Sequence, residues 1–382
     1  MDYAFLNEID EKKEFLDAVA DEIWEHPELA FEEYHSAACL CDALRREGFA
    51  VETGLAGIET AFSATFGSGR PVIGILGEFD ALSGLGQKAF ETHSEPNGKA
   101  AGHGCGHNLL GTGSLAAAIA VKRWLEERPG KGTVIYFGCP GEEGGSGKAF
   151  MARDGVFDGL DAAFYWHPDE ETYVRTNKSL ANIQVRFVFD GIASHAGAEP
   201  ELGRSALDAV ELMNVGVNYL REHMIDDARV HYAVTDTGGI SPNVVQKHAE
   251  VLYLIRAPRN DQASSIYERV CKIAQGAALM TETKESHVFI KACSNTVING
   301  PMTQMLQKIM EELDPPEPTE ADIAFARKMS EDALSDFPKT DPEHPIHWEL
   351  LPYRADQHSD AGHRNSRPFL ADQRAGKDSV GT

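Results

Sequence analysis

The sequence predicts an α/β fold, in which a three-layer αβα domain contains an inserted α+β domain. Strand-like runs at Pro71–Leu76, Gly132–Phe137 and Ala162–Trp166 alternate with helical stretches, which favours a parallel sheet between two helical layers. From Ala181 the pattern changes to alternating polar and apolar residues, ANIQVRFVFDG. The length of 382 residues suits two or three domains of roughly 100–200 residues each.

The helical layers are predicted from apolar periodicity. Between Glu8 and Gly48 apolar residues recur every three or four positions, with a break at Pro27, which indicates two amphipathic helices. A third helix is predicted at Leu110–Glu127, because Pro129 and the following glycine end it.

The inserted domain is predicted to run from residue 181 to 294, so that 1–180 and 295–350 form the larger domain and 351–382 a tail. Its other strand-like segments are Val230–Thr235, Glu250–Ile255 and His287–Ser294, and its helical runs are Ser205–Tyr219 and Gln262–Ala278. Strands and helices segregated in this way are typical of an α+β unit.

Composition excludes several classes of protein. With 60 acidic against 35 basic residues the formal charge is −25, which disfavours binding to nucleic acid or to an anionic membrane surface. No apolar run approaches the ~18 residues of a membrane span, and the acidic start does not resemble a signal peptide. Six scattered cysteines are too few for a disulfide framework. We therefore expect a cytoplasmic protein with no nucleic-acid or membrane partner.

The first chemical motif is GHGCGHN at Gly102–Asn108, between a strand-like region and a helix. His103, Cys105 and His107 lie within five positions, and the interleaved glycines allow the backbone to turn tightly around an ion. A glycine-rich turn that opens a helix explains the same residues equally well. The motif alone leaves both interpretations open.

The second motif, CPGEEGGSG at Cys139–Gly147, directly follows an apolar strand. Adjacent glutamates cannot easily share one environment, so Glu142 and Glu143 are predicted to divide the tasks of metal ligand and water-facing carboxylate. The alternative is a solvated acidic turn. A third candidate, His167, also follows an apolar strand, where a histidine is more often part of the core.

Motifs that are absent narrow the chemistry. The sequence contains no His-Glu-x-x-His, Gly-x-Ser-x-Gly or Cys-x-x-Cys pattern, which argues against a zincin, a serine hydrolase and a zinc ribbon. The remaining candidates are thiolate, imidazole and carboxylate metal ligands, together with one spare glutamate. Such a set suits zinc or manganese, and the spare carboxylate suits a general base.

Taken together, the motifs resemble the metal-dependent amidohydrolases of the aminoacylase and carboxypeptidase family, and among them the aminobenzoyl-glutamate hydrolase B-subunit branch. The resemblance extends from about Trp24 to Ala326. It is carried by GEFDAL (Gly77–Leu82), GHGCGHN, GEEGGSGK, WHP, WEHPELAFEEYHSA (Trp24–Ala37), GIASHAGAEPELGRSALDAV (Gly191–Val210) and GGISPNVV (Gly238–Val245).

The resemblance implies a metallohydrolase domain with two divalent metal ions, zinc or manganese. Cys105 would be shared by both ions, and His107, Glu143 and His167 would complete their ligands. Glu142 would be the general acid/base in the cleavage of an amide into an acid and an amine. The substrate class would be an N-acyl or aminobenzoyl amino acid or a dipeptide.

The inserted domain would then be a lid and dimerisation domain. His195 would reach the substrate carbonyl, while Asn243 and Arg256 would bind its carboxylate. His103 and Asp80 would support the metal ligands. The resemblance implies a homodimer through this domain, with a hetero-subunit as another option. A surface histidine and an ordinary strand-end arginine are the plainer interpretations of His195 and Arg256.

The sequence departs from the family at its C-terminal end. Residues 351–382 carry five basic and four acidic side chains and no glutamate, and the family's last strand and final metal-ligand histidine are not recognisable there. We expect this segment to be disordered and to have truncated or replaced the family's terminal segment. His358 and His363 are candidates for the final ligand. The alternative function is a catalytically silent homologue that binds a metal or a small carboxylated ligand.

Overall fold

The computed structural model describes residues 3–355, apart from 94, 129, 170, 177, 314 and 333–345. The chain separates into two compact units: Met1–Thr172 with Pro315–Leu350, and Tyr173–Asp314 with Leu351–Thr382. The domain boundaries drawn from the sequence stay a prediction. His358, His363 and the predicted tail beyond residue 355 lie outside the described residues.

Helices and strands follow one another along the described residues. The helices are α1 (Asn7–Glu11), α2 (Lys13–Glu25), α3 (Tyr34–Arg46), α4 (His107–Glu127), α5 (Gly147–Arg153), α6 (Ala206–Leu220), α7 (Asn260–Thr281), α8 (Gly300–Leu313) and α9 (Glu320–Asp332). The strands are β1 (Ala50–Thr53), β2 (Phe62–Ser68), β3 (Val72–Gly77), β4 (Leu82–Ser83), β5 (Ala101–Gly102), β6 (Gly132–Gly138), β7 (Ala162–Phe164), β8 (Glu171–Thr172), β9 (Ala181–Asp190), β10 (Arg229–Asp236), β11 (His248–Ala257), β12 (Lys284–Cys293) and β13 (His347–Leu350).

The first unit contains a five-stranded sheet in the order β1-β2-β6-β3-β7. Strands β6, β3 and β7 are parallel, whereas β1 pairs antiparallel with β2 and β2 with β6. The sheet is therefore mixed, and the prediction of a wholly parallel sheet was wrong. The reason is that β1 and β2 are joined by a short connection, which permits only antiparallel pairing.

Helices cover both faces of this sheet, which confirms the predicted three-layer α/β fold. Helices α2, α3 and α4 bury their apolar stripes against one face, around Ile23, Leu40, Leu115 and Tyr136. On the other face Met151 of α5 packs with residues of β6 and its following turn. The helices predicted from periodicity are present, because a stripe repeated every three or four residues can be buried only on a helix.

The second unit is built on a four-stranded antiparallel sheet in the order β10-β11-β9-β12. Alternate residues of β9 and β11, such as Val185, Phe187, Val251 and Tyr253, are fully buried and pack with helices α6 and α7. The polar/apolar alternation in the sequence thus marked strands with one buried face. No helix in the described parts of either unit is long and apolar enough to cross a membrane.

Candidate active site

The candidate site lies where three parallel strands of the first unit end. Glu78 and Asp80 follow β3, Glu142 follows β6, and His167 follows β7. Helix α4 begins at His107 and brings the Gly102–Asn108 motif to the same edge. Side chains from the carboxyl ends of parallel strands converge in this way, because the strand ends share one edge of the sheet.

Three of the predicted metal ligands are brought together. Potential ligand atoms of Cys105, His107 and His167 all lie within 4.8 Å of one another. Cys105 Sγ is 3.4 Å from His167 Nε2, and the two imidazole rings meet edge to face with centroids 5.6 Å apart. The fourth predicted ligand, Glu143, lies next to this cluster: its backbone N–H donates to Asp80 Oδ2 at 2.8 Å, and its carboxyl group opposes the lowering of the Cys105 pKa.

The protonation of this cluster suits metal binding. Interactions with the side chains of His107 and then His167 lower the pKa of Cys105, which favours the thiolate that binds metals. Burial opposes the charged form of His107, but the hydrogen bond with Asp80 and the neighbouring Cys105 and Glu78 side chains raise its pKa to about 10. When Cys105 and His107 lose their protons, a cation can bind to the sulfur and nitrogen atoms that carried them.

An unsatisfied atom at the centre of the cluster provides a direct test of whether the residues fit a metal ion. His107 is completely buried, and among the described residues its Nε2 has no hydrogen-bond partner of acceptable geometry. The nearest carboxylate oxygen, Glu78 Oε2, is 3.1 Å away. A buried ring nitrogen without a partner is costly, and a divalent cation beside the thiolate would satisfy it. The donor set therefore fits the metal ions implied by the sequence.

Asp80 fixes the orientation of His107. Its Oδ1 accepts a hydrogen bond from His107 Nδ1 at 2.9 Å, and its Oδ2 accepts the backbone N–H of Glu143 at 2.8 Å. With the Nδ1 proton held in this way, Nε2 faces the cluster, as is usual for histidine ligands of metals. Although burial alone would raise the pKa of Asp80, these hydrogen bonds lower it, so the carboxylate stays charged.

Glu142 differs from its neighbour. Among the described residues its carboxylate has no hydrogen-bond partner, and it is open to solvent on one side. Partial desolvation, followed by the negative charge of Glu78, raises its pKa. An unbound carboxylate with a raised pKa takes up a proton more readily than an ordinary glutamate, which is a property expected of a general acid/base.

The turn that carries both glutamates is held by close packing. Its Gly141 has a positive φ of 63° and donates its N–H to buried Glu33 Oε1 at 2.7 Å. At Gly145 a Cβ atom would lie 2.5 Å from the ring of Phe31. The glycines are therefore required by the backbone conformation and by the approach of this ring.

Glu78 is a site residue that the sequence analysis missed. It is fully buried, forms an ion pair with Lys148 and accepts a hydrogen bond from Tyr165 Oη at 3.3 Å. Ligand atoms of Glu78, His107 and Glu142 also lie within 4.8 Å of one another. The available signal was its position two residues before Asp80 directly after a buried strand, since alternate residues of an extended segment face the same side.

His103 belongs to the motif but faces away from the cluster. Its Nε2 donates to the carbonyl oxygen of Ile23 in α2 at 3.1 Å, and its ring stacks on Trp24. Burial lowers its pKa to about 4, so the ring is neutral. His103 thus anchors the motif to helix α2, and its role in supporting the metal ligands stays a prediction.

The other predicted residues lie in the second unit. His195 follows β9, accepts the N–H groups of residues 197 and 198 at Nδ1, and places Nε2 3.0 Å from Asn243 Nδ2. Arg256 is not brought to this pair. It lies at the other end of β11, eight residues from His248 or about 26 Å along an extended strand, and its Nε is buried without a hydrogen bond.

Comparison with known protein families identifies the chain. The model of peptidase family M20/M25/M40 matches residues 74–337. The chain belongs to peptidase family M20/M25/M40. It is 52% identical over 330 residues to the p-aminobenzoyl-glutamate hydrolase B-subunit of Escherichia coli, covering 86% of this chain and 68% of that protein. It is 31% identical over 319 residues to the Xaa-Arg dipeptidase of Mus musculus, covering 79% and 70%.

Solved structures show the M20 fold in this chain. An aminobenzoyl-glutamate utilization protein from Klebsiella pneumoniae superposes with a TM-score of 0.64 at 18% identity, covering 86% of this chain and 91% of that one. A dinuclear metal-binding M20 peptidase from Bacillus subtilis gives 0.55 at 21% identity, covering 82% and 81%. The predicted family, its metallohydrolase fold and its reaction class are thereby confirmed: the chain is an M20 metal-dependent hydrolase of amide or peptide bonds.

Proposed function

We propose that this M20 member uses two divalent metal ions, zinc or manganese, to hydrolyse the amide bond of a small acyl amino acid or dipeptide. The observation that carries the proposal is the buried, unpartnered Nε2 of His107 beside the Cys105 thiolate. The first substrate to test is p-aminobenzoyl-glutamate, because the chain is 52% identical to a hydrolase named for it. Dipeptides that end in arginine are the second class, by similarity to the dipeptidase.

The metal ions would be held by Cys105, His107, His167 and Glu143. Thiolate, imidazole and carboxylate together suit zinc, and manganese accepts the carboxylate and imidazole ligands. When bound, the ions would lower the pKa of a water molecule and polarise the scissile carbonyl. Negatively charged ligands suit these positive ions. This explains why the acidic segments that follow β3 and β6 lie at the carboxyl end of the sheet.

Glu142 would serve as the general acid/base. Its carboxylate has no competing hydrogen bond among the described residues, so it can accept a proton from water and donate it to the leaving nitrogen. Its raised pKa favours donation of the proton to the leaving nitrogen, since a more basic carboxylate is more often protonated at neutral pH.

Glu78 would be a positioning residue for His107. Its carboxylate lies 3.1 Å from His107 Nε2 and is held in place by Lys148 and Tyr165. The ammonium group of Lys148 offsets the negative charge of Glu78. Without that cation, Glu78 and Glu142 would oppose each other's ionisation more strongly.

In the second unit, His195 and Asn243 are proposed to bind the substrate carbonyl and carboxylate. Their mutual contact at 3.0 Å supports this. Arg256 lies at the far end of β11, so we do not propose that it binds the same carboxylate as Asn243. We also propose a cytoplasmic location, because the six cysteines are free thiols and the cytosol keeps thiols reduced.

Assembly is part of the proposal. The family resemblance suggests a homodimer through the second unit. The Escherichia coli relative is named as one subunit of a hydrolase, which suggests an additional unlike subunit. Light scattering of the purified chain would distinguish a dimer from a monomer that awaits such a partner.

The substrate proposal is tested by following release of p-aminobenzoate from p-aminobenzoyl-glutamate, beside a panel of acyl amino acids and dipeptides. We expect turnover with zinc or manganese and a loss of about 10²–10⁴-fold in Glu142→Gln, with metal content retained. Glu52→Gln makes the same charge change at an exposed strand position and should leave the rate unchanged. Tightly held metal without turnover of any substrate would support the silent homologue instead.

A further inference from the structure

Two histidines and a glutamate form a second cluster on the surface of the first unit. Glu22 and His26 are four residues apart at the end of helix α2, and His35 lies in the first turn of α3. Residues at this spacing face the same side of a helix. Ligand atoms of all three residues lie within 4.8 Å of one another. None of them contributes to the Cys105–His107 cluster.

The distances within this surface cluster suit a single small cation. His35 Nε2 is 2.8 Å from Glu22 Oε1, and a ring nitrogen of His26 lies within 4.8 Å of the ligand atoms of both residues. The two imidazole rings approach to 4.1 Å between centroids. Ligands around a tetrahedral zinc with bonds of about 2.05 Å lie about 3.3 Å apart. Binding an ion therefore requires only rotations of these exposed side chains.

A hydrogen bond prepares His26 as a ligand. Its Nδ1 is 2.9 Å from the carbonyl oxygen of Glu22. Because a carbonyl only accepts, Nδ1 carries the proton and Nε2 keeps its lone pair in the neutral ring. Histidine ligands of metals usually donate their other nitrogen to a carbonyl or carboxylate in this way.

The position of His35 is fixed by its own helix. Its backbone N–H donates to Glu28 Oε1 at 2.9 Å, and Glu28 Oε2 accepts from the N–H and the hydroxyl group of Ser36. Glu28 thus anchors the first turn of α3 through both oxygens. His35 is presented by a constrained backbone, so little conformational freedom is lost when its ring binds an ion.

An ion pair alone explains this arrangement poorly. If both imidazole rings were protonated, two positive charges would meet at 4.1 Å beside a single carboxylate. An exposed pair of this kind adds little stability. Two neutral rings, each offering one nitrogen, and one carboxylate oxygen instead match the ligand preferences of zinc and similar transition-metal ions.

The surface cluster is open to solvent. The three side chains are 44–49% exposed, so a hydrated ion can reach them without opening the fold. Glu22 and His35 also line a cleft of about 250 Å³ that contains Asp42. Arg46 lies at the far end of the cleft, eleven residues beyond His35, or about 16 Å along the helix axis.

We propose that Glu22, His26 and His35 bind a divalent transition-metal ion, with zinc as the probe, and that this ion joins the end of α2 to the start of α3. Three protein ligands leave one position for water. The neighbouring turn of α2 holds His103 through the carbonyl oxygen of Ile23. Metal binding at the surface cluster would therefore stabilise the helix to which the GHGCGHN motif is anchored.

The test is equilibrium dialysis of the full chain against zinc, with the metal counted per chain. We expect the double variant His26→Gln/His35→Gln to bind one zinc ion fewer than the wild type. His231→Gln removes an exposed histidine of the second unit and should leave the count unchanged. Equal zinc content in the wild type and the double variant would overturn the proposal.

A second measurement does not depend on the folding of the double variant. In the wild-type chain, with the Cys105–His107 cluster first loaded with two equivalents of metal, adding zinc should shift the ring resonances of His26 and His35 together in NMR spectra, with saturation at one further equivalent. Glu22→Gln should weaken this saturation at least tenfold. Movement of one ring without the other, or an unchanged affinity in Glu22→Gln, would mean that zinc binds adventitiously to single histidines.

Discussion

At the scale of single residues, the cysteines show how local environment selects a function. Interactions with the side chains of His107 and His167 lower the pKa of Cys105. Burial raises the pKa of Cys41 to about 11 and that of Cys139 to about 12. The three thiols are chemically identical in the unfolded chain. Only the fold favours the thiolate form at one of them and leaves the others as inert apolar groups.

We predict that Cys105 of the metal-free protein reacts with iodoacetamide at neutral pH well before Cys41 and Cys139. The reason is that the thiolate is the reactive form and Cys105 is partly exposed. Added zinc should protect Cys105, because the metal would use the same sulfur. Peptide mapping by mass spectrometry measures each site. Labelling of Cys105 that is no faster than labelling of Cys139, or is insensitive to zinc, would contradict this picture.

The residue scale also marks the limit of the sequence analysis. Cys105, His107 and His167 were predicted from motifs that follow strands, and the structure brings them together. Glu78 was missed because its partner Lys148 is 70 positions away. No local pattern reveals that a buried carboxylate will find a cation at such a distance. Asp80 lies beside His107, and its supporting role stays a prediction.

At the scale of elements, the Glu78–Lys148 pair ties the end of β3 to helix α5. Glu78→Gln should lower the free energy of unfolding by about 3 kcal/mol, because it leaves the ammonium group of Lys148 without its partner. The double variant Glu78→Gln/Lys148→Met should recover part of this loss. Urea unfolding of the metal-free proteins measures both effects. If the two substitutions are simply additive, the pair is not coupled.

A second ion pair links two neighbouring strands of the other unit. Asp190 at the end of β9 lies opposite His248 at the start of β11, and their side chains meet at 2.9 Å. This hydrogen bond raises the pKa of His248. The pair therefore stabilises the fold fully below the unfolded-state pKa of histidine, ~6.5, and the contribution is lost as the pH rises through the higher folded value.

Asp190→Asn should accordingly lower the pKa of His248, and the variant should lose stability at pH 6 but not at pH 9. An NMR titration of the His248 ring and unfolding at the two pH values provide the measurements. Asp227→Asn, at another exposed aspartate, serves as the control. An unchanged His248 titration in Asp190→Asn would show that the contact is not maintained in solution.

The elements differ in how readily the sequence reveals them. Helices α2, α3 and α4 and strands β9 and β11 were predicted because each has a long pattern with one buried side. Strand β1 has four residues, none of them fully buried, and leaves no such pattern. The sequence therefore did not reveal that the sheet is mixed, since β1 and β2 supply its antiparallel part.

At the scale of the whole molecule, the change of pattern near residue 181 indicated a second unit, and residues 295–350 were predicted to belong with the larger domain. In the structure Pro315–Leu350 group with the first unit, and the segment before them groups with the second. Such a grouping depends on contacts between segments far apart in the chain. These contacts leave little trace in local periodicity, so the exact boundaries stay a prediction.

The central claim concerns the whole protein: metal bound at the Cys105–His107 cluster is needed for hydrolysis of a small amide. The most direct measurement is the rate of p-aminobenzoyl-glutamate hydrolysis by the metal-free His26→Gln/His35→Gln variant as zinc or manganese is added. We expect no turnover without metal and a rate that saturates at two equivalents per chain. Turnover by the metal-free protein, or saturated metal binding with no hydrolysis of any amide substrate, would contradict the claim.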